Sequence, residues 1–174
     1  QELEPGDLLQ SRCDIAFFFG AGTLPGAECM ALFGEEMVPV CIPALLRGRS
    51  SIEPSELEKM PLLHQSSRPD AWRDWFEVAG LSNVNAMGGS RYEVFAMLVE
   101  AAKAGLGVAL MPRFFVLSEI ASGELVVPCP YVLHNRRSYY LVYPEDKMES
   151  ESLQMFCGWL REQARRYREE DAPI

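Results

Sequence analysis

The sequence predicts an α/β fold. Three observations carry that expectation. Short continuous apolar runs alternate along the chain with segments whose apolar residues recur at helical spacing. Gly or Pro punctuates the ends of those segments. The composition is that of an ordinary globular chain, with 174 residues, 48% apolar, 10% aromatic and 24% charged. Such a mixture excludes a disordered or collagen-like chain. A chain of this length buries roughly 70% of its unfolded surface, as one domain or two small lobes.

The elements follow in order. Residues 14–20 (DIAFFFG) form an apolar run closed by glycine, which predicts a strand buried on both faces. Residues 37–42 (MVPVCI) predict a second strand. Pro39 lacks a ladder donor, which places that strand at an edge or at a crossing between lobes. Residues 55–59 read as one helical turn and 62–65 (LLHQ) as a short strand. Residues 69–79 (PDAWRDWFEVA) predict a helix opened by Pro69 and ended by Gly80, with Trp72, Trp75, Phe76 and Ala79 on one face. A helix is predicted over 90–104, because Ser90 and Glu93 have capping-box spacing and Val94, Phe95, Leu98, Ala101 and Ala102 form an apolar face ended by Gly105. Residues 107–111 (GVALM) read as a buried strand. Pro112 opens a further helix that Gly123 stops. Residues 125–127 and 138–143 (SYYLVY) read as strands, with His134 in a solvated turn between them. A long helix starts near Ser150, with Leu153, Phe156, Leu160, Ala164 and Tyr167 as its inward stripe.

Charge and cysteine usage narrow the function. The net charge of −9 argues against nucleic-acid binding by this segment alone, since phosphate neutralisation needs clustered Lys and Arg. The five cysteines, Cys13, Cys29, Cys41, Cys129 and Cys157, are odd in number and none forms a CxxC pair. That fits neither a disulfide framework nor a zinc ribbon, and is expected of reduced thiols in a cytoplasm. The apolar stretch around 15–24 is too short to span a bilayer. The first seven residues do not read as a signal peptide. The start at Gln1 is what a fragment of a longer chain would show.

No GxSxG, HExxH, P-loop or GxGxxG motif occurs, and no catalytic residue, metal site or cofactor is expected. His64 follows an apolar run and could donate to a ligand, although a hydrogen-bonded histidine at a strand end accounts for it equally. Nothing places Asp14 and Asp70 together as an acid/base pair. Cys41 has no neighbouring cysteine in sequence to support redox sensing. What remains is concave binding. Helix starts follow strands near Pro69, at Ser90 and at Pro112, and helix N-termini outside strand carboxyl ends favour a small polar or carboxylate ligand.

Several segments, in order, carry a resemblance. VPVCIPALLRG (38–48), PLLHQSSRPDAWRDWFEVAG (61–80), GSRYEVFAMLVEAAKAGLGVALMPR (89–113), SGELVVP (122–128) and YYLVYP (139–144) resemble the effector-binding domain of LysR-type transcriptional regulators. They are most similar to the branch that includes a glycine-cleavage activator and a β-lactamase regulator. The resemblance implies two Rossmann-like lobes joined by two crossing strands, similar to type 2 periplasmic binding proteins. It implies a small-molecule effector, an amino acid or an aromatic carboxylate, bound in a cleft. It also implies a homodimer or homotetramer, with no membrane partner. Carried onto this sequence, lobe I spans 1–41 and 137–174 and lobe II spans 42–136. The crossings fall near 38–42 and 127–138.

Two departures from the family accompany these matches. Its N-terminal winged helix-turn-helix has no counterpart here, so DNA contact is expected only through that missing domain. The strand, helix and strand that open its first lobe have none either, so lobe I is expected to be truncated. The candidate cleft residues are Phe19, Gly20, Cys41, Ile42, His64, Arg91, Tyr92, Glu93, Met111 and Tyr139. The capping box gives Glu93 a competing role. A free-standing solute-binding protein for transport would share the fold, and is the alternative.

Overall fold

A computed structural model describes residues 14–170, apart from 83, 146, 148 and 149. The readings that involve Cys13 and the first seven residues lie outside them. Six strands are described: β1 (Ala16–Gly20), β2 (Ala27–Val40), β3 (Leu62–Gln65), β4 (Ser90–Tyr92), β5 (Val108–Pro112) and β6 (Leu133–Pro144). The α-helices are α1 (Pro54–Leu57), α2 (Ala71–Val78), α3 (Phe95–Lys103), α4 (Leu117–Ser122) and α5 (Glu151–Glu170). The chain divides into two compact units. Unit 1 comprises residues 1–35 and 135–174, and unit 2 comprises 36–134. β2 and β6 are the two strands along which the chain passes from one unit to the other.

In unit 1, β1 pairs antiparallel with β6, with Phe18 opposite Tyr140. Alternation along the strands sorts side chains to two faces. Met30 and Leu32 of β2 and Leu141 and Tyr143 of β6 pack with Leu153, Cys157 and Ala164 of α5. The stripe predicted for the last helix is thus the side that meets the sheet. On the opposite face Val142 packs with Leu24, Phe18 and Tyr140. β1 is not buried on both faces as its apolar run predicts. It ends the sheet order, and Phe17 is 56% exposed.

In unit 2, β3 is parallel to both β4 and β5, and β5 is antiparallel to β2. Every residue of β5 is buried, because helices cover both of its faces. Val108 and Leu110 pack in a cluster with Trp72, Trp75 and Phe76 of α2 and Leu57 of α1. Ala109 and Met111 pack on the other side with Leu98, Val99 and Ala102 of α3. Each buried indole is satisfied. Trp72 Nε1 donates to the Leu63 carbonyl at 3.0 Å and Trp75 Nε1 to the Tyr131 carbonyl at 2.9 Å.

Five local expectations are corrected. Ser90 does not cap a helix. Ser90–Tyr92 is β4, in register with Leu63–Gln65, and α3 starts at Phe95 with Val94 as its N-cap. Ser90 lies in the ladder with β3 and the helix starts after Glu93, so Glu93 has no capping role. Pro112 closes β5 rather than opening a helix. A 3-10 turn (Arg113–Phe115) follows it, and α4 begins only at Leu117. Residues 125–127 form a single bridge, Cys41 to Val126, instead of a strand. His134 and Asn135 lie in β6 rather than in a turn, and β2 starts ten residues before its predicted beginning.

Candidate functional site

Parallel pairing brings the carboxyl ends of β3 and β4 to one edge of unit 2, beside the end of β5. Loops that leave such an edge are where open α/β sheets bind ligands. Here the edge is built from Gln65 to Arg68 after β3, from Glu93 and Val94 leading into α3, and from the 3-10 turn after β5. The backbone stays tied across it, with the Ser66 N–H donating to the Tyr92 carbonyl at 2.8 Å. Three aromatic rings gather on it. Phe95 stacks on Phe115 at 5.2 Å, and Phe114 lies 4.3 Å from Phe115. The Arg68 guanidinium sits 4.9 Å above the Phe95 ring, within cation–π range.

Seven of the sequence-predicted residues belong to unit 2. Arg91 is exposed and donates from its guanidinium to the Met87 carbonyl at 3.1 Å. Tyr92 is half-buried at the end of β4, and Glu93 is exposed beside it. His64 is 2% exposed, and its Nε2 lies 2.8 Å from the Gly88 carbonyl. Burial lowers the His64 pKa. The Gly88 bond opposes that shift, and the nearby Arg91 charge adds to it. Cys41 and Met111 are fully buried. Cys41 exchanges backbone hydrogen bonds with Val126, and burial raises its thiol pKa to about 11. Ile42 is the extended residue before the 3-10 turn Pro43–Leu46.

The remaining three belong to unit 1. Phe19 and Tyr139 face each other across the β1–β6 ladder, with ring centroids 4.7 Å apart. The Tyr139 hydroxyl donates to Glu35 at 2.6 Å, and the Asn135 amide donates to the same carboxylate at 3.1 Å. Glu35 is 1% exposed, a buried carboxylate that accepts from both side chains. Gly20 ends β1 against the Phe18 ring, where a Cβ would collide with that ring.

Sequence reasoning missed Gln65 and Arg68. Gln65 is 7% exposed, and its Nε2 donates to the Glu93 carbonyl at 2.9 Å. Its position as the last, polar residue of an apolar strand was the available signal. Among the described residues no group of His, Cys, Asp and Glu is arranged to hold a metal ion. None of the described helices is long and apolar enough to cross a membrane.

Such a fold and strand-end edge define a ligand-binding domain of the type 2 periplasmic-binding-protein kind. Residues 3–165 match the LysR substrate binding domain. The chain belongs to that family. It is 36% identical over 155 residues to the glycine cleavage system transcriptional activator of Escherichia coli, across 88% of this chain and 50% of that protein. It is 33% identical over 158 residues to the HTH-type transcriptional activator AmpR of Rhodobacter capsulatus, across 91% of this chain and 53% of that protein. The chain thus spans about half the length of these regulators. The effector domain of AmpR from Pseudomonas aeruginosa superposes with a TM-score of 0.74 at 31% identity, covering 87% of this chain and 71% of that one. The AmpR effector binding domain of Citrobacter freundii shares the fold, with a TM-score of 0.78 at 23% identity, over 94% of this chain and 79% of that one.

Proposed function

We propose that this chain is the effector-sensing part of a cytoplasmic transcriptional regulator that works as a homo-oligomer. It acts by binding a small carboxylate-bearing molecule rather than by turnover. DNA contact falls to a separate domain of the regulator. The observation that carries the reading is the strand-end edge of unit 2, in a chain whose curated relatives are transcriptional regulators. On that edge Arg91, Tyr92 and Glu93 supply polar groups, and Phe95, Phe114 and Phe115 supply an apolar wall. The effector shifts the regulator between two states only to the extent that it binds one of them more tightly.

A thermal-shift screen of metabolites on this chain tests the proposal. A ligand at about a hundred times its Kd stabilises the folded state by about 2.7 kcal/mol, which at this length is a rise of about 5–11 °C. At least one carboxylate is expected to give such a shift. A screen in which only uncharged sugars or nucleobases raise the melting midpoint overturns the carboxylate. One in which no metabolite does overturns the sensing role.

A further inference from the structure

α3 starts without a side-chain cap. Its N-cap, Val94, is extended and carries no polar atom. The N–H groups of Met97 and Leu98 return to the Val94 carbonyl. Those of Phe95 and Ala96 come earlier and have no carbonyl within the helix to bind, so they present the positive end of the helix dipole.

Gln65 lies beside this N-terminus. Its Nε2 is fixed on the carbonyl of Glu93, the residue just before the N-cap, and that bond determines which end of the amide is left. What is left is Oε1, the one buried side-chain oxygen or nitrogen among the described residues without a partner. A buried acceptor with nothing to accept is unfavourable, and a donor group restores it. Arg68 adds positive charge over Phe95, and the exposed Glu93 immediately precedes the N-cap.

The side chain with an oxygen lacking a donor is thus tied to the residue that leads into a helix N-terminus whose first two N–H groups find no acceptor within the helix. We propose that Gln65 and the α3 N-terminus together bind the head group of an α-amino acid. The carboxylate accepts from the Phe95 and Ala96 N–H groups, and the ammonium donates to Gln65 Oε1. The Phe95–Phe115 pair is the surface for the side chain. The inference rests on the effector-sensing reading and narrows it from carboxylates in general to α-amino acids.

Calorimetric titration of this chain with each standard amino acid tests it, followed by the 2-oxo acid and the decarboxylated amine of whichever binds best. Two variants accompany the wild type. Val94→Asp, at an exposed position, places a carboxylate at the N-cap, where it competes for the Ala96 N–H. Gln65→Leu removes the acceptor at similar volume. At least one amino acid is expected to bind at roughly millimolar Kd or better, and its oxo acid and amine about tenfold more weakly or worse. Val94→Asp is expected to raise the melting midpoint and yet weaken the amino acid by about tenfold, opposite signs that a purely structural role would not give. Gln65→Leu should weaken the amino acid by about tenfold and the oxo acid by less than about twofold. Should Gln65→Leu fail to fold, Val94→Asp decides the matter. The inference is overturned if no amino acid binds, if the oxo acid binds as well as the amino acid, or if Val94→Asp binds like the wild type. A sugar or nucleobase that binds both variants unchanged removes this subsite and leaves the sensing role standing.

Discussion

Replacing His64 with alanine asks whether the buried histidine at the end of β3 is a structural staple. The ring is 2% exposed and is held to the Gly88 carbonyl at 2.8 Å. Truncation leaves that carbonyl without its donor, at about 1–3 kcal/mol, and opens a void worth about 1–2 kcal/mol more. A net loss of about 3 kcal/mol lowers the melting midpoint by about 6–12 °C in a chain of this size. Protonation supplies a second, independent signature. Burial holds the folded pKa below the ordinary histidine value, despite the raising effect of the Gly88 bond. The unfolded chain takes up its proton near pH 6.5, whereas the folded chain resists it. More protons are therefore bound when unfolded, and stability is full above that pH and falls as pH drops through it. The loss levels off once the pH is below the folded value. Urea unfolding at about pH 7.5 and about pH 5.5, read from the emission of Trp72 and Trp75 in the same unit, measures both effects. The wild type should lose more stability on acidification than His64→Ala does. His134 and the carboxylates are common to both proteins and cancel. An alanine variant within about 0.5 kcal/mol of the wild type, with the same pH dependence, would refute the reasoning.

Two further outcomes are expected. Gly89 has φ +122°, and a Cβ there would collide with the Leu62 carbonyl oxygen, whereas Gly123 at φ +76° faces open space. Gly89→Ala should therefore cost more than about 3 kcal/mol and Gly123→Ala about 1 kcal/mol, and equal melting midpoints would show the collision to be relieved at no cost. Burial raises the thiols of Cys41 and Cys129 to about 11 and about 12. Iodoacetamide at about pH 8 should leave both unmodified until denaturant is added, while half-buried Cys29 reacts first among the described cysteines. Labelling of Cys41 in the native protein, seen by mass spectrometry, would contradict its burial.

Legibility followed the local signal. The LLHQ run, the tryptophan face of α2 and the stripe of α5 each state their period and ends within one segment, and the structure keeps all three. The first half of β2 was hidden because Ala, Glu, Met and Leu are good helix formers and its burial changes phase around Phe33 and Gly34. The start of β6 was hidden because His134-Asn135-Arg136-Arg137 has the composition of a loop. Only pairing, a property of residues a hundred positions apart, makes these segments strands. The Ser90–Glu93 pattern misled for the same reason. Cap spacing is a local preference, and the ladder with β3 outweighs it. The site was legible as a strand-end edge and through the segments that resemble the LysR family. Gln65 and Arg68 were not, because what distinguishes Gln65 is an unfilled hydrogen bond, and no sequence pattern displays one.

The buried polar residues separate structure from sensing. Among the described residues three polar or charged ones are buried: Glu35, His64 and Gln65. Glu35 accepts from Tyr139 and Asn135, and the His64 ring is held by Gly88. The fold itself offsets the desolvation of those two, so no ligand is needed to explain them. Gln65 is satisfied at one end only. Its unpartnered oxygen raises the free energy of the empty state by about 1–3 kcal/mol, and a donor-bearing ligand recovers that amount. A ligand without a donor cannot. The same oxygen therefore sets both an affinity difference and a specificity, and its factor of about ten to a hundred is enough to tell an amino acid from its oxo acid.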